Sequence, residues 1–144
     1  MSSGNTDPIY SRVGDVTANG TTSFGTNLTT AAADYTGVST NNALCYTAGT
    51  AGGFVQRLRF KALGTNVATV ARIYLNNGSV NTSAANNILY GELSLPATTA
   101  STSAATVDID YPMAISLNPS FCIYVGLGTT VAAGWSVTTI AGQY

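Results

Sequence analysis

Histidine is absent from this sequence, and its absence closes off a large part of enzyme chemistry. Without an imidazole there is no Ser-His-Asp or Cys-His nucleophile pair, no HExxH zinc site and no proton shuttle poised near neutrality. Charge is nearly as scarce. Asp, Glu, Lys and Arg together make up 8% of the chain, against about 25% in ordinary soluble domains. Glu92 is the single glutamate and Lys61 the single lysine. A formal net charge of −1 supplies no global field to draw DNA, RNA or an anionic membrane. No apolar run approaches the roughly 18 residues that would span a bilayer. The opening stretch "MSSGNTDPIYSRVGD" has no basic segment leading into an apolar one, so no secretory signal is expected. Folding in a reducing cytoplasm follows as the expectation. The two cysteines, Cys45 and Cys122, have no CxxC spacing and read as free, partly buried thiols. No cofactor motif and no metal-ligand spacing is present.

What the chain does have is Thr, Ala, Ser, Gly and Asn in abundance. A surface built from hydroxyls, amides and small side chains is soluble but weakly repulsive, and it favours close contact with neighbours. A length of 144 residues suits one domain. Helical periodicity is not sustained anywhere, and "PATTASTSAAT" reads as a loop because dense Thr and Ser disfavour helix. Period-two alternation, by contrast, recurs. In "VQRLRFKAL" the set Leu58, Phe60 and Ala62 alternates with Arg57, Arg59 and Lys61. In "TVARIYLNNG" Ala71, Ile73 and Leu75 oppose Val70, Arg72 and Tyr74, and Asn76-Asn77-Gly78 supplies a turn. "NILYGELSL" ends before Pro96. In "TVDIDYPMAI" Val107, Ile109 and Tyr111 oppose Asp108 and Asp110. "FCIYVGLG" turns Phe121, Ile123, Val125 and Leu127 inward, and "GWSVTTI" carries the sole tryptophan, Trp135. Weaker alternation marks "IYSRVGDV" and "NALCYTAG" as short edge strands.

These runs predict an all-β, single-domain β-sandwich, with an eight-stranded jelly roll as the best fit to the strand count. Residues 1–20 are expected to form an extended arm and residues 21–144 the sandwich.

Three of the five basic residues sit at every second position of one strand. If the runs at 55–63 and 69–75 form a hairpin, Leu58 pairs with Ile73 and Phe60 with Ala71. Arg59 then faces Arg72. The expectation is a four-member basic patch of Arg57, Arg59, Lys61 and Arg72 on one exposed face, with Asp108 and Asp110 as neighbouring acids. The patch reads as a solvated face that discourages edge-to-edge pairing, or as a docking surface for an acidic partner protein. Four cations without interleaved aromatics make a poor phosphate track, so nucleic acid is not expected as a partner. Asp108 and Asp110 also have the spacing of a carboxylate pair, but no further acid or calcium-loop run accompanies them. Tyr46, Tyr74, Tyr90, Tyr124 and Trp135 present themselves as a sugar-stacking platform or as core and interface packing. The sequons at Asn19, Asn27, Asn77 and Asn81 follow from composition.

The stretches "FVQRLRFKALGTNVATVARIYLNNG", "NNILYGELSLPATTAS" and "FCIYVGLGTTVAAGW" resemble the capsid decoration, or cement, proteins of tailed bacteriophages. The resemblance spans roughly residues 50–140 and is most distinctive over Thr65–Gly78. It implies a jelly-roll-type sandwich and a homotrimer seated on the capsid exterior. There it binds the major capsid protein and ties neighbouring subunits together. It carries no catalytic signature, so the chain is expected not to be an enzyme. The alternative from another class is a carbohydrate- or receptor-binding head of a phage tail fibre.

Overall fold

The computed structural model describes residues 13–18, 27–32 and 34–144. Among them eight strands form two four-stranded antiparallel sheets. In chain order the strands are β1 (Val13–Ala18), β2 (Ala43–Thr47), β3 (Gly53–Ala62), β4 (Thr69–Asn76), β5 (Asn87–Leu95), β6 (Asp108–Leu117), β7 (Cys122–Leu127) and β8 (Trp135–Gln143). One sheet has the order β1-β8-β3-β6 and the other β2-β7-β4-β5. Consecutive strands alternate between sheets in the manner of a jelly roll, except that β4 and β5 pair with each other in one sheet. The expected sandwich is therefore present, with its strand order now defined. The only helical turn among the described residues is the short Ala84–Asn86 3-10 segment.

The arm expected over residues 1–20 lies largely outside the described residues. The part within them is not an arm: Val13–Ala18 pairs with β8 in register from Val13 opposite Gln143 to Ala18 opposite Thr138.

Alternation does in space what it announced in sequence. Val55, Leu58, Phe60 and Ala62 of β3 are buried, as are Ala71 and Ile73 of β4, Ile123, Val125 and Leu127 of β7, and Trp135 and Val137 of β8. The phase of β3 shifts between Val55 and Leu58. A bulge at Gln56, where β3 carries one residue more than β8, makes the change. Thr139 occupies an inward position on β8 at no loss, because its hydroxyl donates to the Cys45 carbonyl of the facing sheet at 2.7 Å. At one end of the sandwich Asn66 is buried and fully engaged. It donates to the Gly64 and Gly134 carbonyls and to Thr98 Oγ1, and accepts from the Ala133 and Gly134 amides. Three loops are thereby tied at one side chain. Nearby, the segment 28–31 crosses from one sheet to the other: Leu28 bridges to Trp135 and Ala31 to Leu127.

Candidate functional site

The hairpin expected between residues 55–63 and 69–75 does not form. β3 and β4 lie in different sheets, so Leu58 and Phe60 meet Ala71 and Ile73 across the core instead of beside them. Both strands do turn their apolar sets toward one interior, which is all that periodicity can report. Two strands that face each other across a sandwich satisfy it as well as two that are paired. The consequence for charge is direct: the outer faces of β3 and β4 point away from each other. The four-member patch is therefore not assembled. Arg57, Arg59 and Lys61 lie on one face of the molecule and Arg72 on the opposite one.

On the first face the expected acids are in place. β6 runs antiparallel to β3, with Arg59 opposite Asp110 and Lys61 opposite Asp108. Arg59 pairs with Asp108, and its Nη1 is 3.5 Å from Asp110 Oδ1. Arg57 Nε is 3.6 Å from Asp110 Oδ2. Lys61 Nζ donates to the Thr106 carbonyl at 2.5 Å. The result is a ladder of alternating sign, half open to water. Both aspartates spend their charge on the arginines, and this occupies the pair that the sequence offered as a carboxylate couple.

On the second face Arg72 holds a piece of chain against the sheet. Its Nε donates to Glu92 Oε1 at 3.0 Å, its Nη2 to the Tyr35 hydroxyl at 3.1 Å and its Nη1 to the Ala32 carbonyl at 3.4 Å. The guanidinium also lies 4.1 Å from the Tyr35 ring centroid. Burial opposes the charge, but the hydrogen bonds it donates to Glu92 and Tyr35 outweigh it and raise the pKa of Arg72. Tyr74, although on the outward phase of β4, is buried because the same segment covers it. Its hydroxyl donates to the Asp34 carbonyl at 2.8 Å, and desolvation first, then the nearby Asp34 charge, raises its pKa. Gly37 makes this approach possible: its φ is 79°, and a Cβ there would stand 3.0 Å from the Tyr74 ring. The Asp34 carboxylate closes the turn by accepting from the Gly37 amide at 3.1 Å.

This covering segment is what the reading of residues missed. Its signal was in "DYTG", an Asp three residues before a Gly, a combination that predicts a side-chain-closed turn.

The aromatic platform does not assemble either. Trp135, Tyr46 and Tyr74 are fully buried, and only Tyr90 of the five is exposed. The cysteines are free and buried as expected. Burial pushes the Cys45 thiol up to about 12, against the opposing effect of a hydrogen bond from the Val125 backbone.

Edge strands β5 and β6 leave their side of the sandwich incompletely covered: Leu93, Ile109, Tyr111 and Ile115 are only partly buried, and Ile88 and Tyr90 are 65% and 39% exposed. Tyr111 spans the gap, with its hydroxyl resting where a Cβ on Gly91 would collide with it. At one end of β5 a recess of about 230 Å³ opens between Leu75, Ile88 and Phe121. Comparisons with protein-family models, with curated proteins and with solved structures returned no match.

Proposed function

We propose that this chain is a non-enzymatic structural protein of a virion: a homotrimeric decoration protein of the tailed-phage type. It cross-bridges subunits of the major capsid protein on the outside of the head. The observation that carries the reading is the β5–β6 side. Edge strands there carry partly buried and exposed apolar side chains, and the charges between them, Glu92, Asp108 and Asp110, are paired with arginines of their own sheets. A net charge of −1 makes the approach of identical copies nearly free of repulsion. Closed three-fold symmetry gives each protomer one such contact and leaves no open end. An interface of about 800 Å² per partner suffices, and a trimer gripping several shell subunits multiplies weak contacts by avidity. A surface of uncharged hydroxyls and amides also keeps its properties across changes of salt.

Two features of the fold refine the original docking idea. Arg72 is withdrawn from it, because the guanidinium is occupied within the chain. Arg57, Arg59 and Lys61 exceed Asp108 and Asp110 by one charge, which supports a contact steered weakly toward an acidic surface.

Sedimentation equilibrium tests the assembly. The expected mass is three times the 14.7 kDa chain, reduced to one chain in the doubly substituted Ile88→Asp, Tyr90→Asp protein with its circular dichroism unchanged. A wild-type protein that stays monomeric at about 100 μM, a concentration at which even weak specific contacts register, would sink the trimer. Cryo-electron microscopy of heads incubated with the chain tests the shell, and particles without added density refute it.

A further inference from the structure

The pocket between residues 27–30 and 40–43, just before β2, is a second candidate site, and we propose that it binds a neutral saccharide unit. The proposal is independent of the cementing role, so either can fail alone. The pocket measures about 320 Å³, at the small end of the range of roughly 300–1,000 Å³ that ligand sites occupy. Asn27, Thr29, Thr30, Thr40, Asn41 and Asn42 supply its polar lining, and no charged or aromatic side chain takes part. A charged ligand would give up its hydration there without a counter-charge. A flat aromatic ligand would find nothing to stack on. A threonine hydroxyl is donor and acceptor at once, and a carboxamide offers two donors and an acceptor. That mixture suits vicinal hydroxyls, each of which also gives and takes.

The lining is held in part and free in part. Asn41 is committed: its Nδ2 donates to the Ala31 carbonyl at 2.8 Å, and its backbone amide to Ser39 Oγ at 3.2 Å. The side chains of Asn27, Thr29, Thr30 and Thr40 bond to no described group. The decisive residue is Asn42. It is 6% exposed, and neither its Oδ1 nor its Nδ2 has a hydrogen-bond partner. The amide fits because position 126 is glycine; a Cβ there would collide with Asn42 Oδ1. Buried amides are nearly always paired, so an amide with both ends unpaired beside a polar pocket lacks a partner that a ligand can supply. A sugar hydroxyl entering the pocket fills that place once the amide rotates toward it. A peptide group also offers a donor and an acceptor. Its side chains, however, call for apolar subsites, and only Leu28 and Ala43 offer any among six hydroxyl- and amide-bearing residues.

The test is an amide-resolved NMR titration of the full chain with D-glucose, D-galactose and N-acetyl-D-glucosamine. An acetylated, amidated tri-alanine peptide serves as the comparison. The expected result is a saturable shift of the Thr29, Thr40, Asn41 and Asn42 signals by at least one sugar, unaltered by added salt. Asn42→Ala should weaken it by about tenfold, and Thr40→Val or Thr29→Val by about threefold. The two threonine variants keep the test valid if Asn42→Ala does not fold. The proposal is overturned by any of three outcomes. One is no saturable shift with any of the sugars up to about 100 mM. Another is a shift that both threonine variants retain in full. The last is a stronger response to the peptide than to every sugar.

Discussion

The two outer faces of the sandwich carry the same chemistry and use it differently. Each sets arginine against a carboxylate across paired strands: Arg59 with Asp108 and Asp110 on β3 and β6, Arg72 with Glu92 on β4 and β5. The side chains of the first group are 38–44% exposed, whereas that of Arg72 is 11% exposed. What separates them is the covering chain at residues 31–32 and 34–37, which lies over one face and not the other. Water screens the open ladder, so its pairs contribute little to stability. Under the segment, the loss of hydration that makes the Arg72 charge costly also makes each of its hydrogen bonds count. Residue type and strand position are therefore poor guides to the energetic weight of a charge, and cover is a good one.

The sharpest way to break this comparison is to remove the two arginines separately. Arg72→Ala strips partners from Glu92, Tyr35 and the Ala32 carbonyl at once, and a loss of about 2–4 kcal/mol is expected in urea unfolding. If Arg59→Ala costs as much, cover is not what matters. Alkali gives a second, somewhat smaller contrast. The buried Cys45 thiol holds its proton to about 12, while in the unfolded chain it releases it near its ordinary 9.0. Between those values the unfolded state binds fewer protons, so stability falls as pH rises through that window and is fully present below it. Tyr74 and Tyr124, whose pKa values desolvation also raises, push in the same direction above their ordinary 10.0. A loss on the order of 2 kcal/mol is expected by about pH 10.5 from the thiol alone. Cys45→Ala should flatten the pH slope while leaving a constant offset. The unmodified protein should resist iodoacetamide at pH 8 until it is denatured.

Much of this architecture was legible because a half-buried strand needs only two-residue alternation, and Leu58–Phe60–Ala62, Ala71–Ile73 and Ile123–Val125–Leu127 supply it. The acids beside Arg59 were legible for the same reason, since Asp108 and Asp110 share the wet phase of their own strand. Pairing was not, because the inward phase of β3 and β4 is identical whether the strands are neighbours or face each other across the core. That single ambiguity misplaced Arg72. The outward phase also failed to reveal that Tyr74 is covered, because the cover comes from residues 34–37, distant in sequence. Trp135 and Tyr46 looked available for stacking only because alternation does not say which aromatic fills the core. As for Asn42, its isolation depends on Gly126 and on a crossing segment, neither of which leaves any pattern around residue 42.

Smaller substitutions probe how the covering segment is held. Tyr74→Phe keeps the ring beneath Gly37 and deletes only the bond to the Asp34 carbonyl, so a cost of about 1 kcal/mol is expected. Beyond that, the amide of Gly37 should exchange faster with deuterium while the β3 and β6 amides hold their rates.

The smallest effect belongs to the open ladder. Arg59→Ala removes a cation shared by two aspartates, yet both aspartates stay in contact with water and Arg57 remains beside Asp110. The change in unfolding free energy should stay below about 1 kcal/mol and vanish at 1 M salt, where the screening length falls to about 3 Å. The Arg72 loss should persist in part in the same salt, because its own side chain is only 11% exposed even though its partners Glu92 and Tyr35 reach water. Salt thus separates the faces even where the raw stabilities overlap. A ladder so weakly bound to itself also keeps its side chains available to a partner's acidic groups, since breaking the Arg59 pairs to make new ones costs almost nothing.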